Sequence, residues 1–319
     1  MKTKLPVIVA LCALFVLIFA SGQVIGSAAY GLRLCWELIL PSLFPFFVVS
    51  TLLGKLGFAP MAGRRLAPLA RRLFRVSGAG ATALLVGLTG GYPLGAAYLE
   101  QLERDGQVPT NEAGRLLGFC NNSGPAFLVG AIGAGVFDST RVGLLLYLSH
   151  ALAALGTGLL LRSRSSALPE ESKSPAAPQP FSVAFAEAVR QAVLAALNVC
   201  GFVVCFTVFT GLLDSSGFLP AAAELLSRST GLEPQACRAL LTGFWELGGG
   251  VGALQGLPIN PGNLALAAGL VGWGGISVHF QTLSVLADSP VPSTRHLVGR
   301  LLSATLGAFL AFVLGQLLL

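Results

Sequence analysis

The stretch GAGATALLVGLTGGYPLGAAYL, residues 78–99, decides how this chain is built. It is apolar and about long enough to cross a bilayer once as a helix. Yet its centre reads Gly90-Gly91-Tyr92-Pro93-Leu94-Gly95. Proline has no N–H and frees a carbonyl one turn back, and glycine weakens a helix interior. A second apolar run, residues 236–256, is broken in the same way by Gly248, Gly249, Gly250 and Gly252. Irregular backbone at membrane depth is tolerated only where protein or a polar cavity satisfies its N–H and C=O groups. Two interrupted helical segments around a polar interior are therefore expected.

Composition supports the membrane setting. The chain has 319 residues, 54% hydrophobic and only 11% charged, with a mean hydropathy of +0.77. A soluble domain carries about 25% charged residues, so this chain cannot cover itself with polar side chains. Apolar segments recur at 5–20, 34–53, 78–99, 116–137, 142–161, 192–213, 236–256, 264–286 and 297–319. Alternating barrel strands are absent, so the fold class is all-α integral membrane, a polytopic helical bundle. The first run follows Lys2 and Lys4 and resembles an export signal. Its apolar character resumes through 24–30, and bulky Ile18 stands three before Ser21–Gly22, so an uncleaved transmembrane helix is expected.

Charge sets the orientation. The net charge of +6 does not point to nucleic acid, because the basic residues sit in short loops without interleaved aromatics. Residues 55–75 hold Lys55, Arg64, Arg65, Arg71, Arg72 and Arg75 and no acid, which reads as a cytoplasmic loop. Lys2 and Lys4 place the N-terminus on the same side, so the first helix goes out and 34–53 returns. The slightly acidic loop 214–238 reads as external, and 287–300, with Arg295, His296 and Arg300 against Asp288, as cytoplasmic. These assignments agree only if 78–99 and 236–256 each enter and leave on one side as re-entrant segments.

The two halves are also alike. FPFFVVSTLLGKLGFAP (44–60) compares with FVVCFTVFTGLLDSSGFLP (202–220), each closed by a Gly-Phe-x-Pro turn. Similar segments with opposite loop polarity indicate inverted repeats. The organisation expected is an N-terminal transmembrane helix (1–31), a first gate-like repeat (32–161), a cytoplasmic linker with an amphipathic helix (162–190), and a second, inverted gate-like repeat (191–319). Residues 162–180 are rich in Ser and Pro and read as a mobile loop. Residues 181–190 read as a surface helix with Phe181, Phe185 and Val189 on one stripe. Residues 100–115 read as a solvated turn, with a helix capped by Thr110 or Asn111.

Polar groups cluster where the helices break, and these are the candidate substrate-binding residues. The first break offers Gly90, Gly91, Tyr92 and Pro93, whose glycines let backbone approach a ligand. The second is Phe119-Cys120-Asn121-Asn122-Ser123-Gly124-Pro125, where Asn121, Asn122, Ser123 and Gly124 can bind polar atoms. A half-helix beginning at Pro125 would offer orphan N–H groups to an anion. The third is Glu246 with Gly248 and Gly249; an intramembrane carboxylate suits a coupling ion, sodium or proton, or a substrate. Lesser candidates are Asn198, Asn260, Asn263, Ser277, His279 and Gln281, with His279 and Gln281 near the cytoplasmic end of their helix. The six cysteines form no C-x-x-C pair and the three histidines no H-E-x-x-H, so neither a metal site nor a cofactor is expected. No base stands near Ser123 in sequence, so no catalytic residue is assigned and a non-enzymatic role is expected. The partners expected are a small-molecule substrate and the lipid bilayer, not nucleic acid; the bundle can also associate as a homo-oligomer.

Gly91–Ala96, Glu112–Leu117 and Phe119–Pro125 resemble the G-Y-P-x-G-A, E-A-x-R-L-L and F-C-N-x-S-G-P stretches of sporulation integral membrane proteins of the YlbJ type. These are grouped with nucleoside-recognition or gate-domain membrane proteins. Phe244–Gly250 only approximates that family's acidic F-E-I motif. The resemblance implies kinship with concentrative nucleoside transporters, whose gate regions include re-entrant hairpins and broken helices. It also implies a role in moving a small anionic metabolite, dipicolinate-like or nucleoside-like, in sporulation. The location implied is multi-pass in a bacterial inner or forespore membrane. Two rivals stand beside this permease reading. One is a non-transporting scaffold. The other is an intramembrane hydrolase using Ser123 with His150 or His279, disfavoured because Asn121 stands where the rhomboid motif has glycine.

Overall fold

Hydrocarbon offers backbone N–H and C=O groups no partner but the chain itself. The computed structural model describes residues 4–162 and 179–318, and every regular element among them is a helix. The expected linker 162–180 falls mostly outside the described residues. Helix α1 (Lys4–Phe19) is followed by α2 (Ser21–Leu34), which runs through a π-helical turn (Cys35–Ile39) into α3 (Leu40–Lys55). Together Ser21–Lys55 form an apolar rod of 35 residues. Helix α4 (Phe58–Leu73) follows a turn at Gly57, where φ is 81°. Then come α5 (Gly78–Gly90), α6 (Leu94–Arg104), α7 (Thr110–Cys120), a π-helix (Ala126–Val136) and α8 (Thr140–Leu160).

The second half repeats this order. Helix α9 (Phe181–Ser215) is again a rod of 35 residues, ending in a turn at Gly217 with φ 80°. It is followed by α10 (Phe218–Thr230), α11 (Pro234–Trp245), α12 (Leu247–Gly252), α13 (Pro261–Trp273), α14 (Gly275–Val285) and α15 (Thr294–Leu318). Among the described residues, five helices are long and apolar enough to cross a membrane, six if the bent pair α4–α5 counts as one. This is the polytopic helical bundle expected. The two rods pack along each other, and α15 packs between α13, α8 and α7.

Both glycine-broken segments fold back on themselves. In the first hairpin α5 returns as α6, with Gly87 and Gly95 facing each other against the Cys120 carbonyl. In the second, α11 returns as α12 with Gly243 against Gly250. Small residues allow this approach, as at helix interfaces within membranes generally. Each half also holds a broken span that continues onward instead of reversing: α7 into the π-helix across 121–125, and α13 into α14 across Gly274.

Several sequence expectations need correction. The boundary at 31 is not there: the interruption after the first helix lies at Ala20 (φ −103°, ψ 28°), and the helix then runs from Ser21 to Lys55 without a turn between 24–30 and 34–53. Gly31 does not end the helix but lets Val204 and Thr207 of α9 come close. The basic loop 55–75 is mostly helix α4, and the loop 214–238 contains α10. The surface helix 181–190 is the first part of α9, so the helix runs unbroken through 190–191. Residues 100–115 are not a solvated turn: Glu100, Glu112 and Arg115 are buried, and Ser77 donates to Glu112 Oε1 from both its N–H (2.8 Å) and its hydroxyl (2.7 Å). Thr110 does not cap its helix; its hydroxyl donates to Glu103 Oε1 at 2.6 Å, and Pro109 holds the cap position.

The hairpin packing is testable. A Cβ added at Gly250 falls 2.1 Å from the Gly243 Cα, whereas one at Gly201, mid-way along α9, meets nothing within 4 Å. Gly250→Ala is expected to cost about 1–3 kcal/mol through overpacking, and Gly201→Ala to be neutral or stabilising by up to about 1 kcal/mol. Thermal unfolding in detergent micelles checks this; equal effects at both positions would contradict the closed hairpin.

Candidate functional site

The two hairpin tips and the two broken spans converge. Gly91, at the first tip, has φ 85°, and a Cβ there would stand 3.0 Å from the Gly124 nitrogen. The first tip therefore sits in the gap of its own half's broken span. The second half does the same: Gly275 has φ 75°, and its Cβ would stand 3.0 Å from the Leu247 nitrogen at the second tip. Only glycine supplies that backbone and that clearance together.

Between the tips lies a cavity of about 50 Å³. Gly91, Tyr92, Ser123 and Gly124 line it from the first half, and Glu246, Gly248, Ser277 and Gln281 from the second. Ile39, Leu43, Phe127, Val199 and Val203 supply apolar wall from the rods and the π-helix. Residues far apart in sequence thus meet at one place, including six of the candidates read from the breaks. Gln281 lines this interior instead of sitting at a helix end.

Glu246 explains the second break. It adopts an extended conformation (φ −138°, ψ 117°) between α11 and α12 and caps the latter. Its Oε1 accepts from Gly248 N–H at 2.9 Å and its Oε2 from Gly249 N–H at 2.5 Å. Charge-assisted bonds of this kind are the strong ones. Glu246 is 2% exposed and pairs with no cation among the described residues; Arg238 pairs instead with Asp214 at 2.7 Å.

The remaining candidates support the site from behind. Asn121 Nδ2 donates to Thr282 Oγ1 at 2.8 Å, joining the first broken span to α14. Asn122 Nδ2 donates to the Phe119 carbonyl at 2.7 Å. The Ser123 N–H donates to His150 Nε2 at 3.0 Å. Pro93, joined to Tyr92 by a cis peptide, stands at the cap of α6, and Gly90 faces Ser50 and Leu94. Asn260 and Asn263 lie away from the cavity at the start of α13, where Asn260 Oδ1 accepts from Asn263 N–H at 2.9 Å.

Sequence reasoning missed Arg300. It was counted as a cytoplasmic loop charge, yet it lies two turns into α15 and is 0% exposed. Nη1 donates to the Tyr92 hydroxyl at 3.0 Å; Nη2 reaches Asn122 Oδ1 at 3.3 Å and Ser303 Oγ at 3.4 Å. The Tyr92 hydroxyl in turn donates to the Val271 carbonyl on α13 at 2.8 Å. No carboxylate pairs with this guanidinium among the described residues. The signal was present in the spacing of His296, Gly299, Arg300, Ser303, Gly307, Ala311 and Gly315, which form one buried small-and-polar face of α15.

Fold and site together define an integral membrane protein of helical hairpins and broken spans closed around a buried polar centre. The chain belongs to the family of sporulation integral membrane proteins of the YlbJ type. It is 30% identical to the sporulation integral membrane protein YlbJ of Bacillus subtilis over 312 aligned positions, covering 89% of this chain and 76% of that one. No family model and no solved structure matches it.

Tyr92 ties the first hairpin to both α15 and α13. Tyr92→Phe removes the acceptor for Arg300 Nη1 and the donor to Val271. It is expected to cost about 1.5–3 kcal/mol, the range for hydrogen bonds to a charged group. Denaturant unfolding in detergent, with Tyr147→Phe as a comparison at the half-buried Tyr147–Leu88 contact (3.2 Å), checks it. A smaller loss for Tyr92→Phe than for Tyr147→Phe would refute the assignment.

Proposed function

We propose that this chain is a membrane permease for a small polar solute, either anionic and dipicolinate-like, which the buried cation favours, or neutral and nucleoside-like, acting in sporulation. The observation that carries the reading is the meeting of both hairpin tips and both helix breaks at one cavity, where Ser123, Glu246, Ser277 and Gln281 are set into an otherwise apolar wall. Breaks of this kind cost free energy in a bilayer, and a mere packing scaffold has no use for four of them at one point. The preference for an anion rests on Arg300. A guanidinium in a low-dielectric interior with only neutral partners leaves a positive potential at the centre. Glu246 faces the same cavity and suits a coupling ion, sodium or proton. The name of the Bacillus subtilis relative supports the placement in sporulation.

The arrangement also supports inversion of the halves. Each half contains three segments that reach across, namely a rod, a broken span and a closing helix (α8 or α15). An odd number of crossings sets the second half in the opposite sense to the first. The basic α4 and the slightly acidic turn region around α10 then lie on opposite faces, as their charges require.

A cavity of about 50 Å³ has room for roughly three or four water-sized probes. A heteroaromatic dicarboxylate or a nucleoside enters only if the hairpin tips part. This reading therefore takes the hairpins as the moving elements. His150 Nε2 already accepts from the Ser123 backbone N–H, which favours this reading over hydrolysis by Ser123.

Purified protein reconstituted into liposomes is expected to take up labelled dipicolinate or a nucleoside. Glu246→Ala, which leaves two N–H groups without their acceptor, is expected to lower the flux at least about tenfold, equivalent to about 1.4 kcal/mol. Absence of flux for both solutes, or full flux in Glu246→Ala, would overturn the proposal.

A further inference from the structure

Helix α4 departs from every other surface element in its charge. Glycine and alanine form its buried face: Gly63, Ala67 and Ala70 turn inward. The Gly63 and Gly78 backbones come so close that a Cβ on either would meet the other's carbonyl oxygen at 2.8 and 2.7 Å. The other side exposes Arg64, Arg65 and Arg72 together with Phe58, Met61 and Leu69. No Asp or Glu occurs between Glu37 and Glu100 in the sequence. Arg64, Arg65 and Arg72 pair with no carboxylate among the described residues.

The angle between elements places this surface. Helix α4 meets α5 at a bend of 98°. Helix α5 is the entering arm of the first hairpin, so α4 lies along the bilayer surface where α5 descends into it. The corresponding helix of the second half, α10, occupies the same place in the order of elements. It carries one acid and one base, Glu224 and Arg228, paired at 2.8 Å. The fold therefore does not need cations at this position. Their presence on one half alone fits the orientation of the halves and leaves three exposed guanidiniums facing the headgroup layer on that side.

We infer that α4 is a docking surface for anionic phospholipid. Cations interleaved with exposed Phe58, Met61 and Leu69 suit a partner that offers acidic headgroups and acyl chains together. Free phosphate or nucleic acid offers only the first. The Gly63–Gly78 contact leaves no slack between α4 and α5, so a headgroup layer that holds α4 also fixes the entry of the first hairpin.

The test uses the full chain in bilayers of phosphatidylcholine with spin-labelled phosphatidylglycerol or spin-labelled phosphatidylcholine as probe. Selectivity of the lipid shell around the protein is read by electron paramagnetic resonance. Each arginine near an anionic surface is worth about a fivefold gain in partitioning. The wild type is expected to enrich phosphatidylglycerol severalfold at low salt, and less at high salt as charges are screened. The triple variant Arg64→Gln/Arg65→Gln/Arg72→Gln is expected to lose most of that preference. Arg64→Lys/Arg65→Lys/Arg72→Lys keeps it, and so does Arg141→Gln at the start of α8. Loss in the lysine variant, retention in the glutamine variant, or full displacement by millimolar inorganic phosphate would each overturn the inference. None of these readings involves solute flux, so the result stands apart from the permease proposal.

Discussion

The meeting of the two halves depends on one buried cation. Arg300 reaches from the last helix to the hydroxyl of Tyr92 at the first hairpin tip and to Asn122 in the first broken span. Tyr92 passes the link to the Val271 carbonyl on α13. A guanidinium in a membrane interior is costly unless its donors are used. Here the Tyr92 hydroxyl and the Asn122 amide, which the breaks bring in, and the Ser303 hydroxyl use its two terminal nitrogens, while Nε has no partner among the described residues, so the breaks and the cation support each other. Remove either, and the other is left as uncompensated polar surface in hydrocarbon.

The second half solves the same problem with the opposite charge. At its tip a carboxylate accepts from the N–H groups of Gly248 and Gly249, and its glycine at 275 closes against Leu247. The contrast is physical. The first tip is fastened through Tyr92 to two helices of the other half, whereas the second is capped internally by Glu246 and tied, among the described residues, only within its own half, where Trp273 Nε1 donates to the Phe244 carbonyl at 3.0 Å. A latch made across elements opens when those elements separate, while an internal cap moves with its hairpin as a unit. The first hairpin is accordingly the one whose motion breaks bonds between the halves.

Much of this was legible in the chain itself, for definable reasons. Glycine and proline in the midst of apolar residues have few other meanings, so both hairpins and the break at 121–125 could be read directly. Glu246 stood out as a lone acid in an apolar run. Arg300 did not, because charges near the end of a run were taken as loop charges, and α15 begins at Thr294, six residues earlier. Its four-residue rhythm with His296, Ser303, Gly307, Ala311 and Gly315 marks an inward face that a count of charges overlooks. Helix α4 was hidden for the converse reason: its four arginines and its glycine and prolines lower the hydropathy of a segment that is nonetheless helical. The rod 21–55 is divided at 31 in the sequence reading, whereas the helix continues past that point with Arg33 and Glu37 exposed on its surface.

Which asparagine touches what was beyond sequence, because it is decided by tertiary contact. Asn121 and Asn122 are adjacent, yet one bonds Thr282 on α14 and the other receives Arg300 from α15. The break holds Asn121 in an extended conformation (φ −90°, ψ 92°), and neighbouring side chains on extended backbone point to opposite sides. In a continuous helix the pair would stand about 100° apart and could not bridge two helices in this way. The irregular backbone thus also joins the halves. It turns two consecutive amides toward two different helices of the other half, and so holds the halves together directly beside Ser123 and Gly124, which line the cavity.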